Sequence, residues 1–370
     1  MSIPKTCRAA VITEFHKPLE IWELPVPDPE PGAMLVKTEA TTVCGTDVHL
    51  WHGRMGAYVQ LPAIPSHEMT GRIVKMGKGV THDASEQPLR EGDRIVWPQA
   101  WCGNCYSCTI DLQPTLCKRV RSLYGFGPAN KGPGLTGGFG EYVYVYPECR
   151  AVKAPEEVDP AVIASATCAL RTVVHAYDRL GGLGIQENVL ILGSGPIGLY
   201  ALAMAIVSGA AQTIVIGAPK ARLDLATKWG ADHVIDMDKV KSMAERKEMV
   251  WQWTNGRGPD VVIECAGPKQ AFEDGFNLSR DGARYLVIGQ TDSAPSAISA
   301  SRINLRQVSV SGSFSATARH YYKAMRFLQN NHKRFSFHDL ISNRYKLEQA
   351  TEAMEAQASY REIKPAIIYQ

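Results

Sequence analysis

The sequence lacks a charge imbalance: 40 lysines and arginines face 37 aspartates and glutamates, for a formal net charge of +3. So balanced a chain carries no electrostatic footprint for nucleic acid or an anionic membrane surface, and neither is expected as a partner. It also lacks an uninterrupted apolar run of membrane length. The longest apolar stretch, 189–207, is broken by Gly, Ser and Pro and falls inside a strand-turn-helix pattern, which argues against a span. The opening MSIPKTCRAAVITEF has no apolar core followed by a small-residue cleavage site, so it does not read as a secretory signal. A cytoplasmic location is the default expectation. Internal repeats, low-complexity tracts and long charge runs are missing as well, although THDASEQPLREGD reads as an exposed loop. Small molecules are the expected partners.

At 370 residues, with 45% apolar and 21% charged residues, the chain is long enough for two hydrophobic cores. Up to about Glu148 it carries short β-like runs (MLVKTEA, TGRIVKMG, DRIVWP, GEYVYVY) between Gly, Pro and Asp clusters. From Asp159 onward, short apolar runs (NVLILG, TIVIGA, HVIDM, DVVIECAG, RYLVIG) alternate with helix-length segments, the pattern of a parallel sheet covered by helices. The tail reverts to a mixed pattern: VSVSGSF, two helix-like stretches (HYYKAMRFLQNN and LEQATEAMEAQ) and the strand-like PAIIYQ. It is expected to return to the first domain.

The run NVLIL leads into Gly193-Ser194-Gly195-Pro196-Ile197-Gly198, and a helix pattern follows. In that setting Gly193 permits a tight turn, Gly195 admits a pyrophosphate close to the backbone, and Gly198 lets helix and strand pack closely. The anion then meets unpaired N–H groups at the helix N-terminus. A nicotinamide dinucleotide is the expected cofactor. The second strand of such a fold usually ends in an acid that grips the adenosine ribose. Here Gly217 stands there, followed by Lys220 and Arg222, so the choice between NAD and NADP stays open.

Nine cysteines in a chain without a secretory signal point to metal binding or catalysis rather than a disulfide framework. Cys102, Cys105, Cys108 and Cys117 supply four thiolates on one short loop, which matches the closed tetrahedral coordination of a structural zinc. A second constellation, CGTDVH at 44–49 and Ser66-His67-Glu68, offers a thiolate, two imidazoles and carboxylates. Taken singly, such a cysteine is more often a small buried hydrophobe than a ligand, and such a histidine more often a satisfied polar residue.

CGTDVH, the His67-Glu68 pair, CGNCYSC with Cys117, GGFGEYV, GSGPIG, and Cys168 with Thr172 in ATCALRT together resemble the zinc-containing medium-chain dehydrogenase/reductase family, which includes zinc alcohol, threonine and polyol dehydrogenases. The resemblance runs the length of the chain. It implies an α/β protein built of a partly open, GroES-like β-barrel catalytic domain and a Rossmann domain with a cleft between them, with boundaries at 1–168, 169–312 and 313–370. It further implies two zinc ions per chain. Cys44, His67 and Cys168 would hold the catalytic one, with Glu68 and Asp47 beside them, and Thr46 and His49 would relay the proton. Hydride would pass between a small alcohol, or its aldehyde or ketone, and NAD or NADP. A homodimer or homotetramer joined through the edge strand at VSVSGSF is implied as well.

Three departures from the family pattern stand out. Ser66 replaces the glycine usual before the metal-ligating histidine, the Cys108–Cys117 interval is one residue longer, and the acid at Gly217 is missing. A biosynthetic carbonyl reductase would use the same residues in reverse. A non-catalytic dinucleotide sensor or a zinc-ribbon nucleic-acid binder is opposed by the near-neutral charge, and a zinc-free reductase by the joint presence of Cys44, His67 and Cys168.

Overall fold

Alternation of small, β-branched and aromatic residues sets the strands that open the chain: β1 (Thr6–Val11), β2 (Glu20–Pro25), β3 (Met34–Thr42), β4 (Met69–Met76), β5 (Arg94–Val96), β6 (Tyr142–Val145) and β7 (Val152–Lys153). Between and after them lie α1 (Gly45–Trp51), the single turn α2 (Tyr106–Thr109) and α3 (Pro160–Ala166). The structure, a computed structural model, describes residues 3–55, 58–289 and 295–369. Two compact units emerge, one of Met1–Arg171 with Ala316–Gln370 and one of Thr172–Ser315.

The local chemistry of the helix starts is visible. Asp47, at the third position of α1, reaches back to accept the Cys44 backbone N–H at 2.8 Å. Asp159 accepts from the Ala161 N–H ahead of α3, and Pro160 takes the first helical position, where its missing N–H costs nothing.

The second unit begins on α4 (Ala169–Leu180) and continues β8 (Asn188–Leu192), α5 (Pro196–Val207), β9 (Gln212–Gly217), α6 (Lys220–Lys228), β10 (His233–Asp236), α7 (Met243–Trp253), β11 (Val261–Glu264), α8 (Lys269–Leu278), β12 (Arg284–Val287), α9 (Ala300–Leu305) and β13 (Ser309–Gly312). All its strand pairs are parallel, in the order β10-β9-β8-β11-β12-β13. Strands covered on both faces must be apolar throughout, and Val189, Leu190, Ile191, Val261, Val262 and Ile263 are all fully buried. The order reverses between β8 and β11, and a crevice opens at the carboxyl ends of such strands.

The chain then re-enters the first unit through α10 (Ala318–Asn331), β14 (Ile341–Tyr345), α11 (Ala350–Ala358) and β15 (Lys364–Ile368). Strand β15 pairs antiparallel with β3, which also pairs with β4 and β6, so the last strand lies beside the strand that leads to Cys44. Alanines let α3 lie close to this sheet: Ala40, Ala161, Ala164 and Ala366 form a fully buried cluster. Among the described residues, no helix is long and apolar enough to cross a membrane.

Candidate active site

The four-cysteine loop folds around its own sulfurs. Neighbouring Sγ atoms lie 3.4 Å (Cys102–Cys117), 3.5 Å (Cys105–Cys108), 3.8 Å (Cys105–Cys117) and 4.0 Å (Cys102–Cys108) apart. These separations are far too long for disulfides. Four thiolates on a tetrahedral zinc sit about 3.8 Å from one another, so the set fits that ion. The remainder of the lobe has little apolar cover beyond Trp101, Val120 and Leu123, and a 3-10 turn at Pro114–Leu116 leads into Cys117.

Three further segments of the same unit bring Cys44, His67, Glu68 and Cys168 together, with one donor atom of each inside a sphere of contacts no longer than 4.8 Å. Cys44 precedes α1, His67 and Glu68 precede β4, and Cys168 lies between α3 and α4. His67 Nε2 is 3.3 Å from Cys168 Sγ. Its Nδ1 is buried without a hydrogen bond and lies 3.9 Å from Asp47 Oδ1. The hydrogen bond between the two sulfurs and burial push the Cys44 thiol up to about 12, while the same bond lowers Cys168. A divalent cation satisfies both as thiolates, and the donor set therefore fits zinc.

Glu68 also engages a partner that the sequence did not reveal. Lys364, the first residue of β15, places its Nζ 2.6 and 2.7 Å from the two carboxylate oxygens, and Thr42 donates to the same carboxylate. Burial pushes the Glu68 carboxyl up to about 7 and Lys364 pulls against it, while Glu68 holds Lys364 above its ordinary range against its own burial. The two short N–O contacts are those of an ion pair. Its one sequence signal is a lysine at the head of an otherwise apolar strand, 296 residues from Glu68.

Thr46 and His49 stand one turn apart on α1, both partly exposed. His49 Nδ1 is buried without a hydrogen-bond partner, and partial burial, with Arg54 and His52 nearby, lowers the imidazole pKa below its ordinary value.

In the second unit a crevice of about 300 Å³ is lined by Gly193, Ser194, Gly195, Gly217, Arg222 and Ala266, among others. Pro196 and Ile197 open α5 directly above it, and a Cβ on Gly198 would run into the Gly193 carbonyl. At Gly217 a Cβ would run into Ser194 Oγ, so the buried serine occupies the space from which an acidic side chain would emerge. Arg222 is buried in the crevice wall, whereas Lys220 is exposed and paired with Asp224 at 2.6 Å. Glu264, also unforeseen, ends β11 and accepts the Ala266 and Gly267 N–H groups at 2.7 and 2.6 Å, which shapes the opposite lip. Thr172 lies on α4, one turn beyond Cys168.

Comparison with known proteins agrees with both halves. Residues 30–156 match the alcohol dehydrogenase GroES-like domain and residues 196–330 match the zinc-binding dehydrogenase domain. The chain is 35% identical to 5-exo-hydroxycamphor dehydrogenase of Pseudomonas putida, over 97% of this chain and 98% of that one. An alcohol dehydrogenase from Thermotoga maritima superimposes with a TM-score of 0.93 at 31% identity, covering 99% and 100% of the two chains. A zinc-binding dehydrogenase from Sinorhizobium meliloti bound to NADP superimposes with a TM-score of 0.84 at 27% identity, covering 99% and 100%. The chain belongs to the zinc-containing medium-chain dehydrogenase/reductase family and is a zinc-dependent, NAD(P)-linked alcohol dehydrogenase.

Proposed function

We propose that this enzyme oxidises a bulky, apolar secondary alcohol to its ketone, with Cys44, His67 and Cys168 as ligands of the catalytic zinc and Cys102, Cys105, Cys108 and Cys117 as ligands of a structural one. The observation that carries the reading is the convergence of thiol, imidazole and thiol donors from three separate segments. A zinc ion held by Cys44, His67 and Cys168 would supply the Lewis acidity that favours a deprotonated alcohol, and a dinucleotide held at 193–198 would supply the hydride acceptor. The chain supplies the rest. Thr46 takes the hydroxyl proton toward His49, whose neutral imidazole is a ready acceptor. Glu68, tied to Lys364, adds negative charge behind the thiolates.

An apolar substrate is supported by Phe126, whose ring stacks 6.3 Å from that of His67, and by the resemblance to a dehydrogenase of hydroxycamphor. A kcat/KM series across bicyclic secondary alcohols, sorbitol and threonine tests this, with the bicyclic alcohols expected to lead by at least tenfold. Sorbitol or threonine in first place would overturn the assignment.

The dinucleotide crevice, lacking a carboxylate at 217 and lined by Arg222, accepts a ribose 2′-phosphate. Arg222→Ala is expected to lower kcat/KM for NADP about tenfold more than for NAD, and an unchanged ratio would place the phosphate elsewhere. Two copies pair through the outer edge of β13, where Val310 and Phe314 are 40% and 52% exposed, as an isologous dimer. A cytoplasmic location belongs to the same reading, because nine thiols free of disulfides suit a reducing compartment.

A further inference from the structure

We propose that Ser66 is a positioning residue for the catalytic metal, its buried hydroxyl holding the Ser66–Glu68 turn so that the His67 imidazole faces the two thiols. The inference rests on the ligand roles proposed above for Cys44, His67 and Cys168.

Ser66 has φ of 73°, the left-handed region that a residue with a Cβ seldom adopts. A side chain held in that region needs compensation to stay. Compensation is visible in its hydrogen bonds. Ser66 Oγ accepts the Glu68 N–H at 3.0 Å. It lies 2.8 Å from Thr41 Oγ1 and 3.0 Å from the Thr42 carbonyl. Thr41 Oγ1 commits its own proton to the Glu68 carbonyl at 2.7 Å, so the near acceptors for the single Ser66 proton are Thr41 Oγ1 and the Thr42 carbonyl, with the Glu68 carbonyl farther off at 3.4 Å. Either way, the hydroxyl ties the residue after His67 to the end of β3, two residues before Cys44.

The backbone of Ser66 completes the arrangement. Its N–H donates to Asp47 Oδ1 at 3.0 Å, while Asp47 Oδ2 holds the Cys44 N–H. Gly138 leaves room for the hydroxyl: a Cβ there would run into Thr41 Oγ1 and approach Ser66 Oγ to 3.1 Å. Ser66 and Gly138 are therefore read as a matched pair, and the GGFGEYV segment acquires a role beside the metal centre.

Groups that orient metal ligands typically change metal affinity by about 10–100-fold when removed. Ser66→Gly deletes the hydroxyl and relieves the backbone, so it separates positioning from folding; Ser66→Ala deletes the hydroxyl and keeps the strain. Each variant and the wild type is loaded with cobalt(II) at the catalytic centre, with zinc in the four-cysteine lobe. The visible absorption, the rate of cobalt release to a chelator and the rate of zinc release are followed. Ser66→Gly is expected to keep its thermal midpoint near that of the wild type, to shift the cobalt bands, and to release cobalt at least tenfold faster with zinc release unchanged. Wild-type bands and release in Ser66→Gly overturn the proposal, whether or not Ser66→Ala folds. A wild type that takes up only the lobe metal overturns the ligand reading together with it, and that result is distinguishable from the first.

Discussion

Glu68 and Lys364 form an ion pair with 1% and 4% of their side chains exposed, so neither charge has water to fall back on. Lys364→Met leaves the carboxylate buried and unpaired, and a loss of about 3–5 kcal/mol in a denaturant titration is expected. Lys364→Met combined with Glu68→Gln is expected to recover more than half of it. Additivity of the two single losses would show that the pair does not couple. At His49 the sign follows from its burial: a pKa below the ordinary 6.5 keeps the imidazole neutral, and able to accept a proton, to lower pH than an exposed histidine. The acid limb of alcohol oxidation should therefore lie below pH 6.5. His49→Gln should slow oxidation by about 100-fold or more, with partial recovery in imidazole buffer, since general acid–base assistance of this kind is what it removes. A variant with unchanged rate and no buffer dependence would remove His49 from the relay. Residue types alone named Cys102, Cys105, Cys108 and Cys117, because close spacing on one loop makes them neighbours wherever that loop lies. They could not name Lys364, whose role depends on a strand pairing formed hundreds of residues away.

At the scale of elements, the four-cysteine lobe contrasts with the sheets around it. Its regular structure is α2 and one 3-10 turn, and Tyr106, Ile110, Leu112 and Leu116 are exposed. On the proposed ligand assignment, sulfur coordination would do for this loop what a core does elsewhere, since metal-binding free energy becomes folding free energy. Cys105→Ser should cost one zinc per chain and raise amide exchange across 101–121 while β8 to β12 keep their protection. Protection retained across the lobe would show that it stands without its metal. The strands of the parallel sheet were legible as apolar runs because both of their faces are covered. The THDASEQPLREGD segment was legible only in part: it is largely exposed, yet Asp83 is buried and accepts the N–H groups of Ser85, Gln87 and Lys153. A single aspartate used as a hub leaves no periodicity to detect.

For the whole molecule, the candidate sites divide between the compact units: both metal-donor clusters fall in the unit of Met1–Arg171 with Ala316–Gln370, and the dinucleotide crevice in Thr172–Ser315. His67→Ala should abolish turnover while dinucleotide binding, followed by fluorescence, stays within about threefold of wild type. Loss of both together would refute their independence. The dimer reading predicts that Val310→Pro, by removing a backbone N–H from β13, halves the mass seen by light scattering. What the sequence determined by itself is whatever rests on near neighbours: the glycine turn before α5, the sulfur loop and the apolar runs of the sheet. Tertiary structure alone decided the rest. It brought Cys44, His67 and Cys168 within bonding range of one ion, gave Glu68 its lysine, and put Ser194 where an acid at 217 would stand. These are contacts between segments far apart in the chain, and only the packed strands and helices fix such distances.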